Sequence, residues 1–108
     1  MVVHAPTGNP RLDRIVHDVV DRAVRLVGPT RVWLFGSHAR GDATPTSDVD
    51  LAFEVAPSDR ARWAAFVLEA EDEVPALVDL DLVDIETCDP ALAREIVTTG
   101  RVVYERRS

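Results

Sequence analysis

The first long pattern in the chain is an apolar stripe with helical spacing, which follows Asn9 and Pro10 and stops at Gly28. Its members recur every three or four residues: Leu12, Ile15, Val16, Val19, Val20, Ala23 and Val24. Asparagine followed by proline is typical of a helix start, because the Asn side chain accepts hydrogen bonds from the first amides and proline fits the first turn. The pattern predicts an amphipathic helix that ends before Gly28 and Pro29.

Three shorter segments have the composition or the alternation of β-strands. They are residues 31–35 (RVWLF), 48–55 (DVDLAFEV) and 77–85 (LVDLDLVDI). The first is a short apolar run of β-forming residues, and the other two alternate apolar with acidic positions. Between the first two strands, residues 36–47 predict a turn with a short helical stretch over 37–40, followed by a loop rich in Gly, Thr, Pro and Ser.

Two more helices complete the pattern. Ser58 is placed to cap the first of them, and Pro75 to end it. Its apolar stripe consists of Trp63, Phe66, Val67, Ala70 and Val74. A last helix is expected from Asp89 to Gly100, and residues 102–104 (VVY) form either an edge strand or a docking tail. The alternation of helices and strands predicts an α/β fold in which helices pack against a small mixed sheet.

Length and composition limit what such a fold can do. With 108 residues the chain is expected to be one domain, residues 1–108, with a single modest core and no room for a lobe that binds a large acceptor. A macromolecular acceptor is therefore expected to be another chain. No apolar run is long enough to cross a bilayer, and the N-terminal residues do not have the pattern of an export signal, so a cytoplasmic location is expected.

The charge balance removes several classes of function. The formal net charge is -7, which argues against direct nucleic-acid binding, because that affinity comes mostly from Lys and Arg on phosphates. All 12 basic residues are Arg, so mechanisms that need a P-loop lysine or a lysine nucleophile are excluded. Cys88 is the single cysteine, which leaves no internal disulfide and no cysteine-based zinc site.

Two carboxylates one residue apart are the most informative chemical feature. Asp48 and Asp50 share a strand face, which places their carboxylates within about 7 Å of each other. Two such anions repel, so they either face water or share a cation, and Mg²⁺ suits a site of carboxylates, waters and phosphate oxygens. Gly36 lets a phosphate approach the backbone, and Ser37 adds a hydroxyl. Phosphate and metal together indicate a nucleoside triphosphate.

The third predicted strand supplies a further carboxylate. Asp81 lies close to the acidic pair if this strand is the neighbour of the second, and Asp79 on the same face competes for that role. Each feature alone has an ordinary explanation, since an Asp-x-Asp strand is commonly a solvated face and Gly-Ser is commonly only a turn. Their combination in one order is far more specific.

The stretch GSHARGDATPTSDVDL, residues 36–51, resembles the signature of the DNA polymerase β-like nucleotidyltransferase superfamily. The small size of the chain is similar to that of the minimal nucleotidyltransferases, of the MNT or MntA type. Residues 80–105 also resemble the third-strand and last-helix region of this family. The resemblance covers most of residues 10–105 and implies the polymerase β-like nucleotidyltransferase fold.

The resemblance implies roles for five residues. Gly36 and Ser37 would hold the triphosphate of ATP, Asp48 and Asp50 would bind Mg²⁺, and Asp81 would be the third carboxylate of the metal and catalytic set. The mechanism implied is an in-line displacement at the α-phosphate, in which the acidic residues act mainly as metal ligands.

Several neighbouring residues have open or minor roles. Arg40 also matches the signature, and it either contacts phosphate or a partner, or forms a surface ion pair. A direct role for His38 is the less favoured interpretation, and Asp84 falls on the opposite strand face and is left out of the site. Tyr104 could accept a nucleotide itself, although packing of the last segment is the favoured interpretation.

The family also implies a partner. Chains of this type resemble antitoxins that use ATP to add AMP to a tyrosine of an all-helical HEPN-domain ribonuclease toxin. We expect this activity here. One alternative is a non-catalytic antitoxin that neutralises its partner by binding, and another is a nucleotidyltransferase that acts on a small molecule.

Overall fold

The computed structural model describes residues 9–44, 47–74 and 79–106. In these ranges helices and strands follow one another in the expected order. Their bounds are α1 Pro10–Leu26, β1 Arg31–Phe35, α2 Ser37–Arg40, β2 Val49–Glu54, α3 Arg60–Glu73, β3 Leu80–Asp84, α4 Pro90–Thr99 and β4 Arg101–Glu105, with a 3-10 turn at Pro57–Asp59 before α3. No helix among the described residues is both long and apolar enough to cross a membrane.

The strands form one mixed sheet with the order β3-β2-β1-β4. The central strand β1 pairs antiparallel with β2 and with β4, whereas β2 and β3 run parallel. Parallel neighbours need a long crossover connection, which α3 provides here. The predicted α/β fold with a small mixed sheet is confirmed, and residues 102–104 belong to an edge strand.

Helices cover both faces of the sheet and create two apolar clusters. On one face, α1 and α3 pack against β1 and β2, and Val19, Val20, Leu34 and Phe66 are fully buried there. On the other face, Ile96 of α4 packs in a smaller cluster with Trp33, Phe35 and Ala52. The alternation of the strands explains this division, because successive side chains point to opposite faces.

The predicted helix caps are confirmed at two helices and wrong at a third. The Asn9 side chain accepts hydrogen bonds from the amides of Arg11 and Leu12, at 3.1 and 3.3 Å. Asp89 caps α4 through the amide of Ala91 at 2.7 Å. Ser58, however, lies inside the 3-10 turn Pro57–Asp59, so α3 begins one residue later than this cap would require, with Asp59 in the cap position.

The strand bounds also differ slightly from the predicted ones. The strand β2 begins at Val49, so Asp48 lies just before it. Asp48 is still two residues from Asp50, the spacing that puts two side chains on the same side of a strand. The strand β3 is limited to Leu80–Asp84, and the expected first two residues of that strand, 77 and 78, lie outside the described residues.

Candidate active site

A glycine turn at the end of β1 forms one wall of the site. Gly36 has φ +73°, a backbone conformation that residues with a Cβ rarely adopt. Its carbonyl oxygen accepts hydrogen bonds from the amides of Ala39 and Arg40, at 3.1 and 3.0 Å, which closes the single turn of α2. The amides of Ser37 and His38 donate neither of these hydrogen bonds, because the first amides of a helix have no carbonyl partner within it.

The Asp50 carboxylate lies directly against this turn. A Cβ added at position 36 would overlap Asp50 Oδ2 and lie 3.0 Å from its Cγ. Gly36 is therefore required twice, once by its backbone conformation and once by the close approach of a carboxylate. The glycine and the second aspartate of the signature form one unit in space.

The parallel pairing of β2 with β3 places a third carboxylate beside the acidic pair. Asp50 and Asp81 are register partners across the two strands. Asp79 precedes β3, and its carbonyl oxygen accepts a hydrogen bond from the Val49 amide at 3.0 Å, which starts the ladder. Asp48 and Asp81 are exposed and Asp50 is half-buried. Three carboxylates thus lie at one end of two neighbouring strands.

The electrostatics of Asp50 reflect this crowding. The pKa of the Asp50 carboxyl is raised from 3.8 to about 6, chiefly by burial and then by the negative charges of Asp81 and Asp48. A hydrogen bond with the Asp81 side chain acts in the same direction, and the nearby His38 opposes the shift. Like charges that cannot separate favour protonation of one carboxyl, and a cation would relieve the same repulsion.

The other residues of the signature loop are at the surface. Arg40 Nε lies 3.4 Å from Asp42 Oδ2, and both side chains are more than half exposed. An exposed pair of this kind contributes little to stability. His38 lies close enough to Asp50 to lower its pKa, which places it near the carboxylates without assigning it a direct role.

Two residues that the sequence interpretation kept out of the site are buried elsewhere. Asp84 is 5% exposed and accepts a hydrogen bond from the Glu86 amide at 2.9 Å, so it organises the turn after β3. Arg60 Nε lies 3.9 Å from Oδ2 of this Asp84 carboxylate. Tyr104 is 3% exposed within the larger core, which confirms packing as its role.

The chemistry of the carboxylates fits Mg²⁺, although they are not preassembled as a cage. Among residues 9–44, 47–74 and 79–106, no three His, Cys, Asp or Glu side chains converge enough to hold a metal ion by themselves. Mg²⁺ does not need such a cage, because it usually takes one or two carboxylates together with waters and phosphate oxygens. Burial and the charges of Asp48 and Asp81 disfavour the ionised form of Asp50, so a bound cation would stabilise that form.

A mixed sheet that carries acidic residues beside a Gly-Ser turn has the architecture of a nucleotidyltransferase. The sequence profile of the family described as Polymerase beta, Nucleotidyltransferase matches residues 21–108. The chain belongs to this family.

Individual relatives agree with this membership. The chain is 32% identical over 77 residues to the protein adenylyltransferase MntA of Shewanella oneidensis, in an alignment that covers 68% of this chain. It spans about half of that relative, 52% of its length.

Two solved structures share the fold. One is provisionally named a minimal nucleotidyltransferase and has a TM-score of 0.63 at 25% sequence identity. The alignment covers 86% of this chain and 96% of the other chain. The other is a toxin-antitoxin with AMP-PNP and has a TM-score of 0.58 at 23% sequence identity. The alignment covers 87% of this chain and 73% of the other chain.

Proposed function

We propose that this protein is a Mg²⁺-dependent nucleotidyltransferase that transfers AMP from ATP to a tyrosine hydroxyl of a HEPN-domain toxin, and that it acts as the antitoxin of that pair. The observation that carries the proposal is the position of Asp50, half-buried between the Gly36 turn and Asp81. A core gains nothing from three crowded carboxylates, whereas nucleotidyl transfer requires them.

Each residue of the site has a part in the proposed reaction. The acceptor oxygen forms a bond to the α-phosphorus of ATP, and the bond to the leaving pyrophosphate breaks. Ser37 and the amides at the start of α2 bind the triphosphate, while Gly36 lets it approach the backbone. Asp48, Asp50 and Asp81 would hold Mg²⁺, which when bound supplies charge neutralisation for the triphosphate.

Asp81 has a second part in the proposed mechanism. Its exposed carboxylate is available to an incoming hydroxyl, and it takes the proton that the acceptor loses. Asp50 is enclosed by the turn and is unsuited to that role, so it serves as a ligand. Proton transfer is thus assigned to Asp81 of the edge strand β3, whereas Asp48 and Asp50 would serve only as cation ligands.

The choice of acceptor rests on the relatives. A protein 32% identical to this chain is named a protein adenylyltransferase, and a toxin-antitoxin with AMP-PNP shares its fold. These similarities support ATP as the nucleotide and a toxin as the acceptor. Arg40, exposed beside the signature turn, is proposed to leave its ion pair with Asp42 and contact phosphate when nucleotide binds.

Intact mass spectrometry of the partner toxin tests the proposal. The toxin is incubated with this protein, Mg²⁺ and one nucleoside triphosphate at a time, and fragmentation then locates the modified residue. We expect a mass increase by one or more AMP units on a tyrosine with ATP alone. An unmodified toxin in all four reactions would contradict the proposal.

The matched control is the double variant Asp48→Asn, Asp50→Asn, which keeps the size and hydrogen bonding of both side chains. It should abolish modification and also the protection of cells from the toxin. Protection that survives in this variant, with a stable complex, would instead favour neutralisation by binding.

A further inference from the structure

The outward face of α3 is unusually apolar for a surface helix. Leu68 is 72% exposed, which makes it the most exposed large apolar residue that the structure describes. Ala61, Ala64 and Ala65 lie one or two turns before it on the same side and are exposed as well. The opposite side of α3 packs into the core through Phe66 and Ala70. The helix thus has one apolar face in the core and a second one in solvent.

Charge is distributed unevenly along this outward face. The start of α3 is basic, with Arg62, and its end is acidic, with Glu71 and Asp72. The flanking charges of the helix have partners elsewhere in the chain, since Glu73 pairs with Arg22 of α1 at 2.9 Å and Arg60 lies 3.9 Å from Asp84. The Arg62 side chain is 71% exposed, although it lies 3.6 Å from Asp59 of the preceding turn. A surface with an apolar centre, one basic end and one acidic end is complementary to itself when one copy is reversed.

We propose that this face binds the same face of a second copy of the chain, with the two α3 helices antiparallel. In this arrangement Leu68 of one copy packs on Ala65 of the other, and the reverse contact follows from two-fold symmetry. Small alanine side chains leave room for the larger leucine and allow the helices to approach closely. Arg62 of each copy then lies beside Asp72 of the other.

The position of α3 on the sheet is compatible with two active copies. Phe66 of α3 lies in the core cluster on the side of Leu34 and Leu51. Asp50 is the register partner of Phe35, which belongs to the cluster on the other face. Pairing through α3 therefore buries neither the acidic site nor the Gly36 turn.

Analytical ultracentrifugation over a wide dilution series tests the contact. We expect the wild-type chain to be dimeric at high concentration and to dissociate on dilution, because a single helix pair buries less area than a standard stable interface. Leu68→Arg should weaken the dimer by about ten-fold or more, since it puts a charge on the central apolar contact. Leu26→Arg, at an exposed apolar residue of α1, is the matched control and should leave the dimer unchanged.

An exchange of charges tests the antiparallel register. Arg62→Glu and Asp72→Arg should each weaken the dimer, and the two together should restore it. Within one helix these residues are about 15 Å apart, too far for direct contact, so restoration reports a contact between copies. Unchanged circular dichroism and ATP binding would show that each variant is folded.

Three results would overturn the proposal. They are a wild-type chain that stays monomeric at every concentration, a Leu68→Arg variant that dimerises normally, and charge exchanges that do not compensate. A chain that is monomeric alone but loses its complex with the toxin on Leu68→Arg would assign this face to the toxin instead.

Discussion

The α-carbon of Gly36 lies against the carboxylate of Asp50, so closely that a methyl group on Gly36 would occupy the space of Asp50 Oδ2. The turn that we propose to bind phosphate and the carboxylate that we propose to bind Mg²⁺ thus depend on one contact. This contact offers a sharp mutational test, because Gly28 and Gly41 also have a positive φ but lack the contact.

Gly36→Ala should destabilise the fold and abolish nucleotidyl transfer. The backbone of Gly36, with φ +73° and ψ -151°, lies in a region essentially restricted to glycine and costs alanine about 1–3 kcal/mol, and overlap with Asp50 adds about 1–3 kcal/mol. Displacement of the carboxylate should lower the transfer rate by about 100-fold or more. Urea unfolding and the modification assay measure the two effects.

Gly28→Ala and Gly41→Ala are the matched controls for this variant. Both glycines have positive φ, +70° and +84°, and a Cβ at either position meets nothing within 4 Å. They should lose only the backbone contribution of about 1 kcal/mol and keep most of the activity. Equal losses in all three variants would contradict a specific role for the Gly36 contact.

Asp50→Asn should stabilise the metal-free protein at neutral pH. The pKa of Asp50 is about 6 in the folded chain and 3.8 in the unfolded one, so the folded state holds its proton more tightly. The stability from this group is therefore full below pH 4 and is lost as the pH rises from about 4 to about 6. The Asn variant lacks this loss, and its Tm at pH 7.5 should exceed that of the wild type by a few degrees.

Thermal melts between pH 4 and pH 8 check this prediction. The quantity compared is the difference in Tm between Asp50→Asn and the wild type, because the titration of other groups affects both proteins equally. Mg²⁺ with ATP should raise the Tm of the wild type and have little effect on Asp50→Asn, because ligands stabilise only the state that binds them. A difference in Tm that does not vary with pH would count against the raised pKa.

Asp81→Asn should remove activity, whereas Asp79→Asn should not. Only Asp81 is in register with Asp50, while Asp79 contributes its backbone carbonyl to the sheet. Loss of the proposed proton acceptor should lower the transfer rate by about 100- to 10,000-fold. Single-turnover kinetics with saturating ATP measure the rate, and similar losses in both variants would mean that the register does not select the catalytic carboxylate.

Phe66→Ala should be among the most destabilising single changes. Its ring is fully buried and lies 5.5 Å from the ring of Phe53 and 5.6 Å from that of Trp63, measured between centroids. Truncation of a buried phenylalanine costs about 3–5 kcal/mol, a large part of the stability of a domain this size. Phe66→Leu should cost less, and it supplies the measurement if the Ala variant does not fold. Urea midpoints at a constant m-value give both numbers.

The elements of the fold could be predicted from sequence because their patterns are local. The stripe of α1, the apolar run of β1 and the capping pairs at Asn9 and Asp89 depend only on neighbours within a few residues. Ser58 misled for the same reason, since a serine before an apolar stripe suits an N-cap, yet Pro57 starts a 3-10 turn that contains it. Local chemistry did not distinguish these two starts.

The site was only partly predictable because its key contacts are long-range. Sequence indicates Asp48 and Asp50 by alternation, but the choice of Asp81 over Asp79 depends on how β3 is aligned with β2. The contact of Gly36 with Asp50 depends on the pairing of β1 with β2, and no pattern within either segment specifies it. The raised pKa of Asp50 follows from these same pairings.

The parallel crossover through α3 has a consequence for the order in which the chain folds. β1, β2 and the Gly36 turn come from neighbouring segments, whereas β3 is joined to β2 through the whole of α3, so its pairing is the more distant one in sequence. Long-range parallel pairing of this kind is slow, because the entropy of loop closure is lost before the contacts form. We therefore expect the pairing that brings Asp81 beside Asp50 to be the slow step in assembling the proposed site.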